Sequence, residues 1–213
     1  MSGIFITFEG PDGAGKTTQI KHLAEALKRD GKQIVMTREP GGTRIGDQIR
    51  AILLSPEHAE MADRTEVLLY AAQRAQHVQE FIVPALNQGK IVLCDRFIDA
   101  SMAYQAEGLG VDADFVRLAS EFAAAGLKPQ RTYMLDLTAE ESRHRLLSRA
   151  TAASGNSAEL DRIELKPLAY HQRVRHAFLR IAESDPDRVK LFDATLPIEE
   201  LARAIISDCK RFL

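Results

Sequence analysis

The strongest chemical signal in the sequence is a glycine-rich segment near the amino terminus: Gly10, Pro11, Asp12, Gly13, Ala14, Gly15, Lys16 and Thr17. It matches the phosphate-binding pattern Gly, four residues, Gly-Lys-Ser/Thr, and it follows a predicted strand and opens a predicted helix. Glycines let successive backbone N–H groups converge on phosphate oxygens, and the helix start adds its positive dipole end. Lys16 would supply a point charge to the β- and γ-phosphates, and the Thr17 hydroxyl would be a ligand to Mg²⁺.

A carboxylate follows the apolar run 91–94. Asp95 therefore stands at the carboxyl end of a buried strand, the position expected for a magnesium-associated Asp beside a phosphate loop. Many strands end in Asp only because Asp favours the turn that follows, so Asp95 alone is weak evidence for a metal site. The phosphate loop strengthens this interpretation. Asp136 and Asp193 also end predicted strands, and we interpret them as structural.

Three arginines are candidates for binding a second phosphate. Arg38 and Arg96 directly follow predicted strands, and Arg50 lies on the helix after the second strand. Planar guanidinium groups suit phosphate oxygens, so one rim of the sheet could gather them. Any one of the three, taken alone, is better explained as an ordinary surface arginine.

Two pairs of residues four apart could hold a nucleobase. Tyr70 and Arg74 share one helix face, and Ser101 and Gln105 repeat the spacing after Asp95-Arg96. An aromatic plate with a guanidinium, opposite a hydroxyl with an amide, could sandwich and hydrogen-bond a base. From spacing alone, the commoner explanation is that Tyr70 fills the core and that Ser101 and Gln105 are solvated.

The elements that must position these residues are five short apolar runs bounded by turn or charged residues, which predict strands at 4–8, 33–37, 91–94, 132–137 and 189–192. Between them lie stretches with helical spacing of apolar residues. Strands that alternate with helices predict right-handed crossovers and a mostly parallel sheet covered on both faces. Ligands of such sheets bind at the carboxyl ends of the strands.

Composition limits the class of protein. The chain has 213 residues, of which 45% are hydrophobic and 27% are charged, so one folded domain is expected over 1–213. The formal charge of −2 argues against a general binder of nucleic acid or anionic membranes. We expect a cytoplasmic protein without a signal peptide or spanning helix. We interpret Cys94 and Cys209 as packing residues, with Cys94 the more buried.

Residues 150–158 carry no charge and no large apolar side chain, and they are predicted to be mobile. A surface loop is the common explanation for such a segment. A closing lid is the functional one, favoured here by Arg149 and Arg162 on its two shoulders.

Four elements together resemble bacterial thymidylate kinases: residues 8–18, Thr37-Arg38-Glu39-Pro40-Gly41-Gly42-Thr43, Asp95-Arg96-Phe97 and Asp161-Arg162-Ile163-Glu164. The elements occur in the right order over nearly the whole chain, and the Arg-Glu-Pro-Gly-Gly-Thr element is far more specific than the phosphate loop. The resemblance implies transfer of the γ-phosphate of ATP to dTMP, giving dTDP, with Mg²⁺. It also implies a homodimer and a three-layer α/β P-loop kinase fold, with a five-stranded parallel sheet and a small mobile lid at about 148–163.

The resemblance carries roles to matching positions. Tyr70 would stack on thymine, Arg74 would hydrogen-bond it, and Asp12 would accept from the 3′-hydroxyl. The implied dTMP-binding residues are Asp12, Arg38, Glu39, Arg50, Tyr70, Arg74, Arg96, Ser101 and Gln105. The implied ATP-binding residues are Gly10, Pro11, Asp12, Gly13, Ala14, Gly15, Lys16, Thr17 and Thr18. The implied catalytic residues are Lys16, Arg96, Arg149 and Arg162, and the metal ligands are Thr17 and Asp95.

Two departures from the family pattern concern arginines. After Gln105 the family commonly has a glycine-rich stretch containing Arg, whereas this chain reads Ala-Glu-Gly-Leu-Gly at 106–110. The phosphate loop carries Asp12 and no Arg, which resembles the subgroup whose catalytic Arg lies in the lid. Because the lid exceeds its common length, either Arg149 or Ser157 aligns with the expected position. We favour Arg149, with Arg162 second.

The resemblance also implies that the Glu39–Pro40 bond is cis. Apart from the resemblance, Tyr104 is a candidate for excluding a 2′-hydroxyl. The helix predicted over 63–87 is apolar enough to cover both the sheet and a partner copy, although core packing alone would explain it.

The competing hypotheses are a kinase for another monophosphate, a GTP-dependent switch and a nucleic-acid-dependent ATPase. The sequence lacks the Asn-Lys-x-Asp element for guanine, and a switch would leave the arginine set without a purpose.

Overall fold

The computed structural model describes residues 2–152 and 160–213. Residues 153–159 of the predicted lid, including Ser157, therefore lie outside the described residues. The described part of the chain contains no helix with an apolar stretch long enough to cross a membrane.

Five parallel strands form one sheet: β1 (Ile4–Glu9), β2 (Ile34–Arg38), β3 (Ile91–Asp95), β4 (Arg131–Asp136) and β5 (Val189–Asp193). The strand order is β2-β3-β1-β4-β5, and every neighbouring pair is parallel. Each predicted strand agrees with the observed one to within one residue at either end. The strands could be located from apolar runs because a strand of a parallel sheet is buried on both faces and is therefore apolar along its length.

Helices cover both faces of the sheet and have these bounds: α1 Lys16–Arg29, α2 Arg44–Leu54, α3 Asp63–His77, α4 Val83–Asn87, α5 Ile98–Ser101, α6 Ala113–Ala124, α7 Ala139–Ala152, α8 Leu168–Ser184 and α9 Ile198–Phe212. One core joins α1 and α9 to the face that carries Ile6 and Phe8. On the opposite face, Phe5, Val92 and Cys94 pack against Val78–Ile82, and Met134 packs against α8. The α/β layering is therefore the predicted one.

The helix predicted over 63–87 is interrupted. A π-helical turn, Val78–Ile82, separates α3 from α4. Pro84 supplies the physical reason, because it has no N–H for the bond to Glu80 and its ring clashes with that carbonyl group in a regular helix. A second π-helical segment, Met102–Gly108, follows α5.

The register brings the predicted site residues to one edge of the sheet. Phe8 and Arg38 both lie opposite Asp95, so the phosphate loop, Asp95 and Arg38 leave neighbouring strand ends together. Cys94 and Cys209 are both fully buried, so the expected difference in exposure between them is absent. Asp136 receives two hydrogen bonds from Arg175, and Asp193 accepts from Thr195, in agreement with structural roles.

Candidate active site

The phosphate loop lies between the carboxyl end of β1 and the first turn of α1. Gly10 has φ 127° and passes so close to β4 that a Cβ atom would lie 2.2 Å from the Leu135 carbonyl oxygen. Lys16 is 6% exposed, and its Nζ donates to the carbonyl oxygens of Gly10 (3.1 Å) and Pro11 (2.8 Å). Burial, aided by the charge of Arg96, lowers the pKa of Lys16. The loop itself thus holds the ammonium group in place.

The Thr17 hydroxyl donates to Asp95 Oδ2 over 2.8 Å, which joins the start of α1 to the end of β3. Hydroxyl and carboxylate oxygens are the ligands that Mg²⁺ prefers, and Mg²⁺ commonly binds one or two carboxylates together with substrate phosphates. Among the described residues, no group of three or more His, Cys, Asp or Glu side chains forms a cage that could hold a metal without a substrate. The donor set therefore fits a metal shared with a bound phosphate.

Asp12, Arg96 and Tyr104 form a triangle beside the loop. Arg96 Nη2 donates to Asp12 Oδ1 (2.7 Å) and to the Tyr104 hydroxyl (3.0 Å), and that hydroxyl donates to Asp12 Oδ2 (3.1 Å). Burial opposes ionisation of Asp12, but the charges of Arg96 and Lys16 outweigh it and hold the Asp12 pKa below its usual range. Arg96 has φ 73°, a left-handed backbone that is costly for a residue with a side chain. Such strain at a non-glycine residue is a common feature of functional sites.

Glu39 anchors a second buried network. Both its oxygens accept, Oε2 from Arg74 Nε (2.8 Å) and Oε1 from His77 Nδ1 (3.0 Å). Arg74 is 1% exposed, and its Nη2 also donates to the Phe97 carbonyl oxygen (2.9 Å) and the Ser101 hydroxyl (3.1 Å). Burial opposes ionisation of Glu39, but Arg74 and His77 lower its pKa. The next bond, Glu39–Pro40, is cis, as the family resemblance implied.

These networks line two adjoining spaces. The inner cavity is lined by Asp12, Glu39, Pro40, Arg50, Leu54, Tyr70, Arg74, Arg96, Phe97, Ala100, Ser101, Tyr104, Gln105, Asp161 and Ile163. The outer cleft is lined by Asp12, Gly13, Gly15, Lys16, Thr17, Thr18, Arg38, Glu39, Arg50, Leu54, Asp95, Arg96, Arg149, Asp161 and Glu164. Because Asp12, Glu39, Arg50 and Arg96 border both spaces, a ligand in one would meet a ligand in the other there.

The predicted dTMP-binding residues all line the inner cavity except Arg38, which lines the outer cleft. Of the predicted ATP-binding residues, Gly10, Pro11 and Ala14 are buried and line neither space. The apolar lining residues Leu54 and Phe97 had no role in the sequence-based prediction. Asp161 was also missed, although the Asp-Arg-Ile-Glu element that contains it was recognised.

The three predicted phosphate-binding arginines all line the outer cleft. Arg50 Nη1 donates to the Pro40 carbonyl oxygen (2.9 Å), and Arg38 is more than half exposed, 3.4 Å from Asp47. Burial, together with the charge of Arg38, lowers the pKa of Arg50. Such crowding of cations favours binding of a polyanion between them.

The two candidate catalytic arginines differ in position. Arg149, near the end of α7, is 63% exposed, lines the outer cleft and pairs with Glu164 over 2.8 Å. Arg162 is 6% exposed, pairs with Glu66 over 2.7 Å and donates to the Leu53 carbonyl oxygen, and it lines neither space. Of the two candidates, only Arg149 therefore borders the space that contains the phosphate loop, whereas the Arg162 guanidinium faces Glu66.

Comparison with known proteins gives consistent results over almost the whole chain. A family model described as Thymidylate kinase matches residues 8–205. The thymidylate kinase of Exiguobacterium sibiricum is 52% identical over 213 residues, covering 100% of this chain and 97% of the relative. That of Geotalea uraniireducens is 47% identical over 203 residues, covering 95% and 94%. The crystal structure of thymidylate kinase from Ehrlichia chaffeensis is similar with a TM-score of 0.76 and 30% identity, covering 98% of each chain.

Proposed function

The chain belongs to the thymidylate kinase family, which uses ATP to phosphorylate dTMP to dTDP, and we propose that ATP binds in the outer cleft and dTMP in the inner cavity. The observation that carries this assignment is the shared border of the two spaces, where Asp12 and Arg96 face both. In-line transfer requires the two phosphates to meet at one place, and this border is such a place. The P-loop kinase fold, confirmed by the sheet and the structural neighbour, positions it.

The inner cavity suits a pyrimidine. Tyr70 would stack on the base, and Arg74, locked by Glu39 and Ser101, would direct a remaining guanidinium N–H at a base carbonyl. Preorganised donors lower the ordering cost of binding. A methyl group in an apolar recess contributes only about 1 to 3 kcal/mol, so dUMP should be a poor substrate that is still accepted.

The polar border would hold the sugar and the acceptor phosphate. Asp12 is kept ionised by Arg96 and has lone pairs left for a 3′-hydroxyl. Arg38, Arg50 and Arg96 would surround the dianionic phosphate. Since a phosphate monoester has a second pKa near 6, it is largely dianionic at neutral pH and needs no general base.

Catalysis would consist of alignment and of neutralising the charge on the transferred group. Lys16 would stabilise the β- and γ-phosphates, and Arg149, exposed in the cleft, would contact the transferred phosphoryl group. Thr17 and Asp95 would hold Mg²⁺, which supplies further positive charge to the phosphates when bound. We assign no catalytic role to Arg162, because its guanidinium is held by Glu66.

We also propose a homodimer of single-domain chains. Phe122, Leu118 and Phe115 on α6 are 86%, 68% and 37% exposed, and Leu68 on the adjoining α3 is 54% exposed. A contiguous apolar face of this kind is uncommon on a monomer. A second copy of the chain would cover it through a two-fold contact. A cytoplasmic location remains a prediction of the sequence.

The test is a coupled ADP-release assay with ATP and Mg²⁺, offering dTMP, dUMP, dCMP, dGMP, dAMP and UMP separately. We expect release mainly with dTMP, weaker release with dUMP, and loss of activity when EDTA removes the metal. Preference for another monophosphate would overturn the assignment of the inner cavity to thymine. The Tyr70→Ala variant should raise the KM for dTMP and leave the KM for ATP nearly unchanged, whereas equal effects on both would contradict the division into two spaces.

A further inference from the structure

Glu66 on α3 is 1% exposed and lies directly behind the wall of the inner cavity. Its Oε1 accepts from Gln105 Nε2 over 2.9 Å, and its Oε2 accepts from Arg162 Nη2 over 2.7 Å. Gln105 is 2% exposed and lines the cavity. One buried carboxylate therefore connects a cavity-lining amide to an arginine on the far side.

The ion pair determines which way the Gln105 amide points. In its ion pair with Arg162 the Glu66 carboxylate accepts hydrogen bonds, so the group that Gln105 turns towards Glu66 is its NH₂. The Gln105 Oε1 atom is then directed away from Glu66, and no described residue donates to it. The reverse orientation would set a carbonyl oxygen against a buried carboxylate, which costs free energy without compensation.

We propose that Glu66 is a positioning residue, paired with Arg162, that fixes the Gln105 amide with its carbonyl oxygen facing the inner cavity. The inference rests on the proposed binding of dTMP in that cavity. A fixed acceptor selects a base that offers an N–H at the matching edge. Thymine and uracil carry such an imino N–H, whereas cytosine presents a ring acceptor and an amino group there. Glu66 thereby contributes to discrimination against cytosine nucleotides without touching the base.

Arg162 acts in this arrangement through charge and through the backbone. The Arg162 backbone N–H donates to the Leu54 carbonyl oxygen (3.0 Å), and its Nε donates to the Leu53 carbonyl oxygen (2.9 Å). Arg162 therefore connects the end of α2 to Glu66. Without the guanidinium, the buried Glu66 carboxylate would lose one of its two side-chain partners and its fixed position. Gln105 would then be free to turn its NH₂ into the cavity.

The decisive variant is Glu66→Gln, which keeps the shape and removes the acceptor-only constraint. We expect a rise of about tenfold in the KM for dTMP, a KM for ATP within about twofold of wild type, and a fall of about tenfold in the ratio of kcat/KM for dTMP over dCMP. Unchanged KM and unchanged ratio would overturn the proposal. So would an equal loss for both substrates, which would indicate a general structural role. Glu80→Gln, on an exposed side chain of the following π-helical turn, is the matched control and should leave all three quantities unchanged.

Two further variants separate positioning from loss of folding. In a Gln105→Leu background, Glu66→Gln should have no additional effect on the dTMP/dCMP ratio, because the two residues act as one unit. Arg162→Met should lower the ratio as Glu66→Gln does. Additive effects in the double variant, or a normal ratio in folded Arg162→Met, would refute the mechanism. Wild-type protein without dTMP-dependent ADP release would refute the proposed function instead, so the two failures are distinguishable.

Discussion

Replacing Glu9 by glutamine should change how the stability of the fold depends on pH. Glu9 ends β1 and is fully buried, and its Oε1 accepts from the Phe97 N–H over 2.7 Å. Its Oε2 has no partner within the described part of the chain. Burial, reinforced by the negative charge of Asp99 and opposed by Arg96 and Lys16, raises the Glu9 pKa from 4.5 to about 8. The folded state therefore favours the neutral acid.

The pH dependence of the free energy of unfolding follows from the difference in proton binding between the folded and unfolded states. Below about pH 4.5 the acid is neutral in both states, and between there and about pH 8 unfolding releases a proton, so the free energy of unfolding falls as pH rises. At about 1.36 kcal/mol per pH unit, wild type should lose about 3 kcal/mol between about pH 5.5 and pH 8 relative to Glu9→Gln. The variant has no proton to release at this position.

Urea unfolding at a series of pH values and one fixed protein concentration measures the difference. The absolute stability of Glu9→Gln is not the readout, because the new NH₂ group adds a cost that is independent of pH. The exposed Glu25→Gln on α1 is the control and should run parallel to wild type. Parallel curves for wild type and Glu9→Gln would refute the reasoning and mean that Glu9 is ionised in the fold.

Lys16→Ala should lower kcat more than tenfold in steady-state assays, whereas Lys21→Ala, exposed on the same helix, should not. Arg149→Ala should also lower kcat more than tenfold with little change in the KM for dTMP; near-normal turnover would remove it from the catalytic set. Asp95→Asn should raise the Mg²⁺ concentration needed for half-maximal rate several-fold, and an unchanged requirement would exclude Asp95 as a ligand. Phe122→Glu should shift sedimentation towards the monomer, and an unchanged oligomeric state would contradict the proposed interface.

Sequence patterns predicted the features that depend on local order. The five strands were predicted correctly because each is a short apolar run between turn residues. The phosphate loop was recognised because its glycine spacing is what backbone N–H groups need in order to converge on a phosphate. The interruption of the long helix was not predicted, although Pro84 is a local signal for it, since a proline inside a helical pattern removes a backbone bond.

Features that depend on distant pairing were not predictable in this way. Arg162 was a candidate catalytic residue, and the sequence did not predict that its guanidinium pairs with Glu66. Glu66 lies 96 positions earlier in the chain, and nothing in the local pattern of either residue signals the pair. Glu9 reads as the polar end of a strand, and only the packed structure shows that its carboxyl group is enclosed. Burial is a property of the whole fold, which explains why charge-carrying residues were the hardest to place.

The backbone conformation of Arg96 lowers the stability of the fold at a position where the site needs a guanidinium group. A left-handed conformation costs a residue with a side chain about 1 to 2 kcal/mol, a cost that glycine would avoid at φ 73°. Glycine there would give an easier chain reversal after β3, but it would leave Asp12 and Tyr104 without the cation between them. The chain is therefore less stable at Arg96 than it would be with glycine at this position. A search for thermostable variants guided by backbone preference alone would remove the guanidinium that lines both the inner cavity and the outer cleft.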